Sequence, residues 1–213
     1  MHLQAKNSSN TMILIGVTGG IASGKTEVSQ VFRNKGAIVL SGDRIGKEIV
    51  ETDPRVLQGL VRSFGEAILE RYGKLDRRRL GRIAFASEES KDKLNRIVHP
   101  HLLRELRARI ENLRKKNQKA IVVIDAALVV EWGLENELDY LVLVESKRED
   151  NIRRLRKLKG YSRKEALDRI KAQLPEKTKK RKADFVIRND KGLAELGEKA
   201  GKVWERMVRK HAE

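Results

Sequence analysis

The 213-residue sequence contains no cysteine, which excludes a disulfide framework and any thiolate metal site. Aromatics make up only 4%, so few side chains are present to stack bases, and a single-strand nucleic-acid binder is disfavoured. No apolar run approaches the ~20 residues that cross a bilayer. The N-terminus lacks the basic-then-apolar order of a secretory signal. Acidic residues are in the minority, with 30 Asp+Glu against 47 Lys+Arg and a net charge of +17. That excess favours anionic partners. The basic residues are spread along helical stretches and read mostly as solvated faces. The expectation is a cytoplasmic protein with small anionic substrates and no membrane or nucleic-acid partner, monomeric, and long enough for one sizeable α/β domain.

The stretch that carries chemistry is Gly19-Gly20-Ile21-Ala22-Ser23-Gly24-Lys25-Thr26. It fits G-x-x-x-x-G-K-[ST], the P-loop pattern. An apolar run, Met12 to Val17, precedes it and reads as a buried strand. Val28, Val31 and Phe32 follow on one helical face. Strand, glycine-rich turn and helix are the order the mechanism needs, because backbone N–H groups and a helix N-terminus must face an oxyanion. Gly20, Ile21, Ala22, Ser23, Gly24, Lys25 and Thr26 are therefore candidate ATP-binding residues. Lys25 would reach the β- and γ-phosphates, and the Thr26 hydroxyl would ligate Mg²⁺.

Residues 1–11 are polar and aperiodic and read as a disordered extension. A second strand is expected over Gly36 to Leu40, ending in Ser41-Gly42-Asp43. Asp43 stands at the carboxyl end of that strand, where open α/β sheets bind ligands. It reads equally as the N-cap of a helix from Arg44 to Glu51. Residues 44–117 are mainly helical, with Pro54 opening one helix and Asp76 capping another. A long helix is expected from Ser87 to about Lys116, kinked or broken at Pro100. His99 is either a polar contact to a ligand or a structural histidine. Lys119 to Asp125 is the clearest buried strand. Its closing Asp125 has the form of a Walker B acid that holds Mg²⁺, with a helix cap or a loop contact as other readings. Strands over Tyr140 to Val144 and Phe185 to Ile187 follow, the last leading to Asn189. Between them residues 146–182 form a basic helical region, either an RNA-binding surface or an arginine-bearing lid over ATP. A final amphipathic helix spans Lys191 to Glu213, with Leu193, Leu196, Ala200, Val203 and Val208 toward the sheet.

Several separated stretches together resemble the dephospho-CoA kinases. Gly16 to Thr26 resembles the family's extended P-loop, and Ser41-Gly42-Asp43 falls at its Asp-Ala-Asp. Asp76-Arg77, Leu80-Gly81, Phe85 and His99-Pro100 resemble its middle segment. Asp125 to Glu131, Gly133-Leu134 and Asp139 resemble its Pro-Leu-Leu-Phe-Glu block. Ser162 to Gln173 and Ala183 to Ile187 with Asn189 resemble its lid-exit helix and last strand. Three departures stand out. Ser41 replaces the first Asp, Ala127 replaces the Pro, and Leu158-Lys159 stands where the lid has Arg-Asp.

The resemblance implies an α/β P-loop kinase fold, three-layered, with a five-stranded parallel sheet, a helical substrate region (about 44–117) and a lid (about 146–182). The core would comprise 12–43, 119–145 and 183–213. It implies ATP-dependent phosphorylation of the ribose 3′-hydroxyl of dephospho-CoA. Asp43 would orient that hydroxyl and accept its proton, with Lys25 and Arg154 stabilising phosphoryl charge. Thr26 and Asp125 would hold Mg²⁺, Arg77 and His99 would contact the acceptor, and Asn189 would lie near the adenine. A nucleoside or nucleotide kinase of the same fold is one alternative, and an RNA-binding P-loop NTPase another.

Overall fold

The computed structural model describes residues 12–212. The expected extension over 1–11 lies outside the described residues. The β-rich segments pair into one five-stranded sheet, β1 (Ile13–Gly19), β2 (Ile38–Ser41), β3 (Ile121–Asp125), β4 (Tyr140–Glu145) and β5 (Phe185–Arg188). Its order is β2-β3-β1-β4-β5, and every pairing is parallel. Parallel strands joined by helical crossovers are covered on both faces, which is why they read as continuous apolar runs. Every residue of β1 is buried.

The period-two alternation of strands sorts side chains into two cores. Leu14, Leu40, Val122, Ile124 and Leu141 point to one face. There they meet α2 (Gly42–Thr52), α3 (Pro54–Phe64), α4 (Arg77–Ala84) and α5 (Glu88–Lys116). Ile13, Ile15, Val17, Val39, Val123, Val142 and Val144 point to the other. There they meet α1 (Lys25–Asn34) and α9 (Leu193–Ala212), where Phe32 and Trp204 pack at 5.3 Å. The basic region folds into α6 (Arg148–Lys159), α7 (Arg163–Lys171) and α8 (Glu176–Lys182). Ile152, Leu155 and Ala166 of α6 and α7 form a third cluster, and Ile21 and Ala22 of the glycine-rich loop pack on it. The three layers and the five parallel strands agree with the expected fold.

Local chemistry starts the helices where polar residues can cap them. The Asp76 side chain accepts from Arg79 N at 2.8 Å, and the Ser87 hydroxyl accepts from Ser90 N at 3.1 Å. Ser162 and Glu165 form a reciprocal capping box. Two expectations need correction, the start of α2 and the inward face of α9. α2 starts at Gly42 rather than Arg44, and Ser41 caps it, accepting from Arg44 N at 3.3 Å. Asp43 is therefore not the cap.

α5 runs unbroken through Pro100. The proline removes one N–H and crowds the preceding turn, a cost of ~3 kcal/mol. Leu94, Ile97 and Val98 before it and Leu102, Leu106 and Ile110 after it pack on the same core and hold the helix together. In α9, Leu196, Ala200 and Val203 face inward as expected, joined by Trp204 and Met207. Leu193 and Val208 are instead exposed, at 60% and 37%. Leu193 opens the helix, and Val208 sits about 100° round from Met207.

Candidate active site

The carboxyl ends of β1, β2 and β3 converge. In the sheet register, Val17 and Ser41 both lie beside Asp125. The loop from Gly19 turns out of β1, and Gly24 caps α1 at φ 105°. An L side chain at that angle is strained. A Cβ there would also sit 2.7 Å from the Asn189 amide nitrogen and 2.9 Å from a Leu196 methyl. Glycine avoids both the strain and the crowding, and the N-terminal amides of α1 offer an anion site.

Three ionisable groups meet over this loop. Burial lowers the Lys25 ammonium below the ordinary lysine value, while the Asp125 and Asp43 carboxylates pull it back up. Lys25 Nζ donates to the Gly20 carbonyl at 3.0 Å, folding back over its own loop. Asp125 is 8% exposed. Burial raises its pKa and the Asp43 charge adds to the rise, whereas Lys25 and the facing Ser29 and Thr26 hydroxyls oppose it. Asp125 thus faces the first turns of α1 and, among the described residues, is the N-cap of no helix.

Arg154 reaches the loop from α6, donating from Nη1 to the Ala22 carbonyl at 3.1 Å. Leu158, one turn on, is 71% exposed. Asn189 is 2% exposed, and its Nδ2 donates to the Ser23 carbonyl at 2.8 Å. That amide braces the loop from the residue after β5, the position expected to lie near the adenine. A similar brace comes from Gln173 beyond α7, whose Oε1 accepts from Ile21 N at 2.9 Å.

The acceptor candidates lie on the α2 side. A Cβ at Gly42 would meet the Ala126 Cβ at 2.9 Å and the Trp132 ring at 3.0 Å, so Trp132 lies against the turn that carries Asp43. His99 meets Trp132 edge-on at 5.7 Å. Burial holds its pKa below the ordinary histidine value, opposed by Glu131. Arg77 donates to the Lys47 carbonyl at 2.9 Å and to Glu51 at 3.0 Å. Asp43, Lys47 and Glu51 share one face of α2, being four residues apart. Arg77 therefore lies along the stripe that Asp43 begins, about one to two turns away.

Reasoning from the sequence missed a buried pair behind these groups. Lys179 of α8, 1% exposed, donates to Glu131 at 2.8 Å and to the Ala127 carbonyl at 2.6 Å. In Glu176–Lys182 five of the seven residues are basic, and nothing in that run marks one lysine as buried. Arg169, one of the basic residues of the expected lid, is buried as well. It lies 7% exposed between the Tyr161 ring, 4.0 Å away, and the Phe85 ring, 5.3 Å away, joining α7 to the end of α4.

A family model described as dephospho-CoA kinase matches residues 13–195. A dephospho-CoA kinase of Bacillus thuringiensis subsp. konkukian is 40% identical over 178 residues, covering 84% of this chain and 88% of the relative. Another from Corynebacterium diphtheriae is 36% identical over 197 residues, covering 92% and 98%. A Thermus thermophilus protein of known crystal structure superposes with a TM-score of 0.74 at 35% identity, over 92% of this chain and 97% of that one. With the glycine-rich loop, its lysine and its two facing carboxylates in place on a 2-3-1-4-5 parallel sheet, the chain belongs to the dephospho-CoA kinase family.

Proposed function

We propose how this ATP-dependent dephospho-CoA kinase divides its work among its residues. Asp43 orients the ribose 3′-hydroxyl of dephospho-CoA and accepts its proton. The amides from Gly20 to Thr26 cradle the ATP phosphates. Lys25 and Arg154 stabilise charge on the transferring phosphoryl group. The observation that carries this reading is the convergence of Lys25, Asp43 and Asp125 at the mouth of the loop. Asp43 is released from capping by Ser41, so its carboxylate is free for the acceptor.

Thr26 and Asp125 would hold Mg²⁺. The donor set fits, since Mg²⁺ takes one or two carboxylates together with substrate phosphates and retains waters. A buried carboxylate facing a hydroxyl and a second carboxylate is also a place that a cation would stabilise. When bound with ATP, the ion neutralises charge on the β- and γ-oxygens. Trp132 and His99 form the wall beside Asp43, and Arg77 offers an exposed guanidinium along the α2 stripe to the anionic acceptor. Helices α6 to α8 act as the lid, docked on the loop through Arg154 and Gln173.

Among the described residues no helix is long and apolar enough to cross a membrane. A monomer in the cytoplasm is the proposed state, and sedimentation at working concentration checks the first part. The acceptor assignment is tested by comparing phosphoryl transfer from ATP to dephospho-CoA, adenosine and AMP. Transfer to dephospho-CoA alone supports the reading, and preference for AMP or adenosine overturns it.

A further inference from the structure

We propose that Lys179 is a positioning residue of this phosphotransferase site, clasping the lid exit onto the loop after β3 and so holding that loop in register with the phosphate-binding loop. The inference rests on the reading of Asp43 and the glycine-rich loop given above. Burying an ammonium is costly unless it is paired and hydrogen-bonded. The neighbours Lys177, Lys180, Arg181 and Lys182 stay in water, yet Lys179 is 1% exposed. It turns inward onto the Ala127 carbonyl at 2.6 Å and Glu131 Oε1 at 2.8 Å.

Both partners belong to the site. Ala127 is two residues beyond Asp125, and its carbonyl also accepts from Thr18 Oγ1 at 3.1 Å, on the strand that feeds the glycine-rich loop. Glu131 precedes Trp132, which lies against Gly42 beside Asp43. Glu131 Oε1 accepts in addition from Leu174 N at 2.9 Å. The adjacent Gln173 holds Ile21 N of the phosphate loop. Residues 173–179 thus touch the donor loop at one end and the acceptor-side loop at the other, and the Lys179–Glu131 pair closes the clasp. Lys179 is the one cation ion-paired with Glu131 among the described residues, and Glu131 Oε2 is buried with no hydrogen-bond partner. Removing Lys179 alone would leave that buried carboxylate with no ion-pair partner and only the Leu174 amide to hold it.

A pair of this kind is weak evidence for stability, since apolar or neutral replacement of both partners is often tolerated. Its value here is geometric, because a misplacement of ~1 Å costs about 10²-fold in an in-line reaction. The test compares Lys179→Met, Glu131→Gln and the double variant in the full chain. The readouts are kcat with dephospho-CoA, affinity for a non-hydrolysable ATP analogue, and melting temperature. Lys179→Met is expected to lower kcat by about 10- to 100-fold with analogue affinity within about threefold. The double variant is expected to recover to within about threefold of Glu131→Gln, because the unpaired charge is gone.

If Lys179→Met does not fold, the comparison of Glu131→Gln with the double variant decides. A double variant no better than Lys179→Met, in folding or in kcat, would overturn the proposal, because Lys179 would then act independently of Glu131. A Lys179→Met enzyme with lowered melting temperature but unchanged kcat would overturn it too, leaving the pair merely structural. Wild-type turnover of dephospho-CoA is the control that separates failure of the clasp from failure of the underlying assignment.

Discussion

Gly24→Ala should damage the phosphate cradle in a way that Gly36→Ala does not. The two glycines have nearly equal backbone angles, φ +105° and +102°. Each substitution forces a side chain into a left-handed conformation, at ~1–3 kcal/mol. Each also regains ~0.4–1 kcal/mol by restricting the unfolded chain. These effects cancel between the two variants. The difference is space. A Cβ at Gly24 meets the Asn189 amide at 2.7 Å and Leu196 at 2.9 Å, whereas nothing lies within 4 Å of one at Gly36. Overpacking of that kind costs ~1–3 kcal/mol. With a urea m-value of ~1–3 kcal/mol/M, Gly24→Ala should melt at about 1 M less urea than Gly36→Ala. Pushing Asn189 away also costs the Ser23 carbonyl its shorter hydrogen bond, leaving only the 3.5 Å one from Arg154, so ATP affinity should fall in Gly24→Ala and hold in Gly36→Ala. Equal midpoints with equal ATP affinity would refute the packing argument.

Other consequences follow from the same geometry. Arg154→Ala should lower kcat by about 10²–10³-fold, the loss seen when one preorganised transition-state donor is removed. Leu158→Arg should leave kcat within about twofold, because that position faces solvent rather than the loop; an Arg variant that raised kcat tenfold would show the departure at Leu158 to be functional. Asp53 caps α3 and is held down to a pKa of about 2, chiefly by its hydrogen bond with the Arg55 side chain. A depressed carboxylate stabilises the fold above its unfolded value near 3.8 and loses that effect as pH falls through about 2. Asp53→Asn keeps a capping oxygen and removes the charge. The urea-midpoint gap between wild type and variant should close between about pH 4 and 2; a gap that stayed constant over that range would contradict the assignment.

What could be read from the chain was what the chain states contiguously. The phosphate loop is one unbroken octapeptide between an apolar strand and an amphipathic helix, so pattern and context coincide. Asp125 was legible because a strand buried on both faces ends abruptly in an acid. Asp43 was ambiguous, since an Asp after a strand serves equally as cap or as site. The structure removes the capping reading by giving the cap to Ser41, a choice that depends on where α2 begins. At Pro100 the chain allowed a kink or a break, and burial on both sides of the proline keeps α5 continuous. Asn189 was placed correctly beyond the last strand, but its amide is used on the Ser23 carbonyl, a partner 166 residues away in sequence. Lys179 was invisible for the same reason. Its partners Glu131 and Ala127 are far away in sequence, and only tertiary packing distinguishes it from its basic neighbours.

The central claim, that Asp43 serves the acceptor while the loop serves ATP, is tested most directly by single-turnover phosphoryl transfer with enzyme in excess over ATP. Wild type and Asp43→Ala would be run with dephospho-CoA, and analogue affinity measured in parallel. General-base assistance is worth about 10²–10⁴-fold. Asp43→Ala should therefore slow transfer by that factor while binding the ATP analogue as tightly as wild type. Transfer within tenfold of wild type, or a loss that appears entirely as weakened ATP binding, would contradict the account.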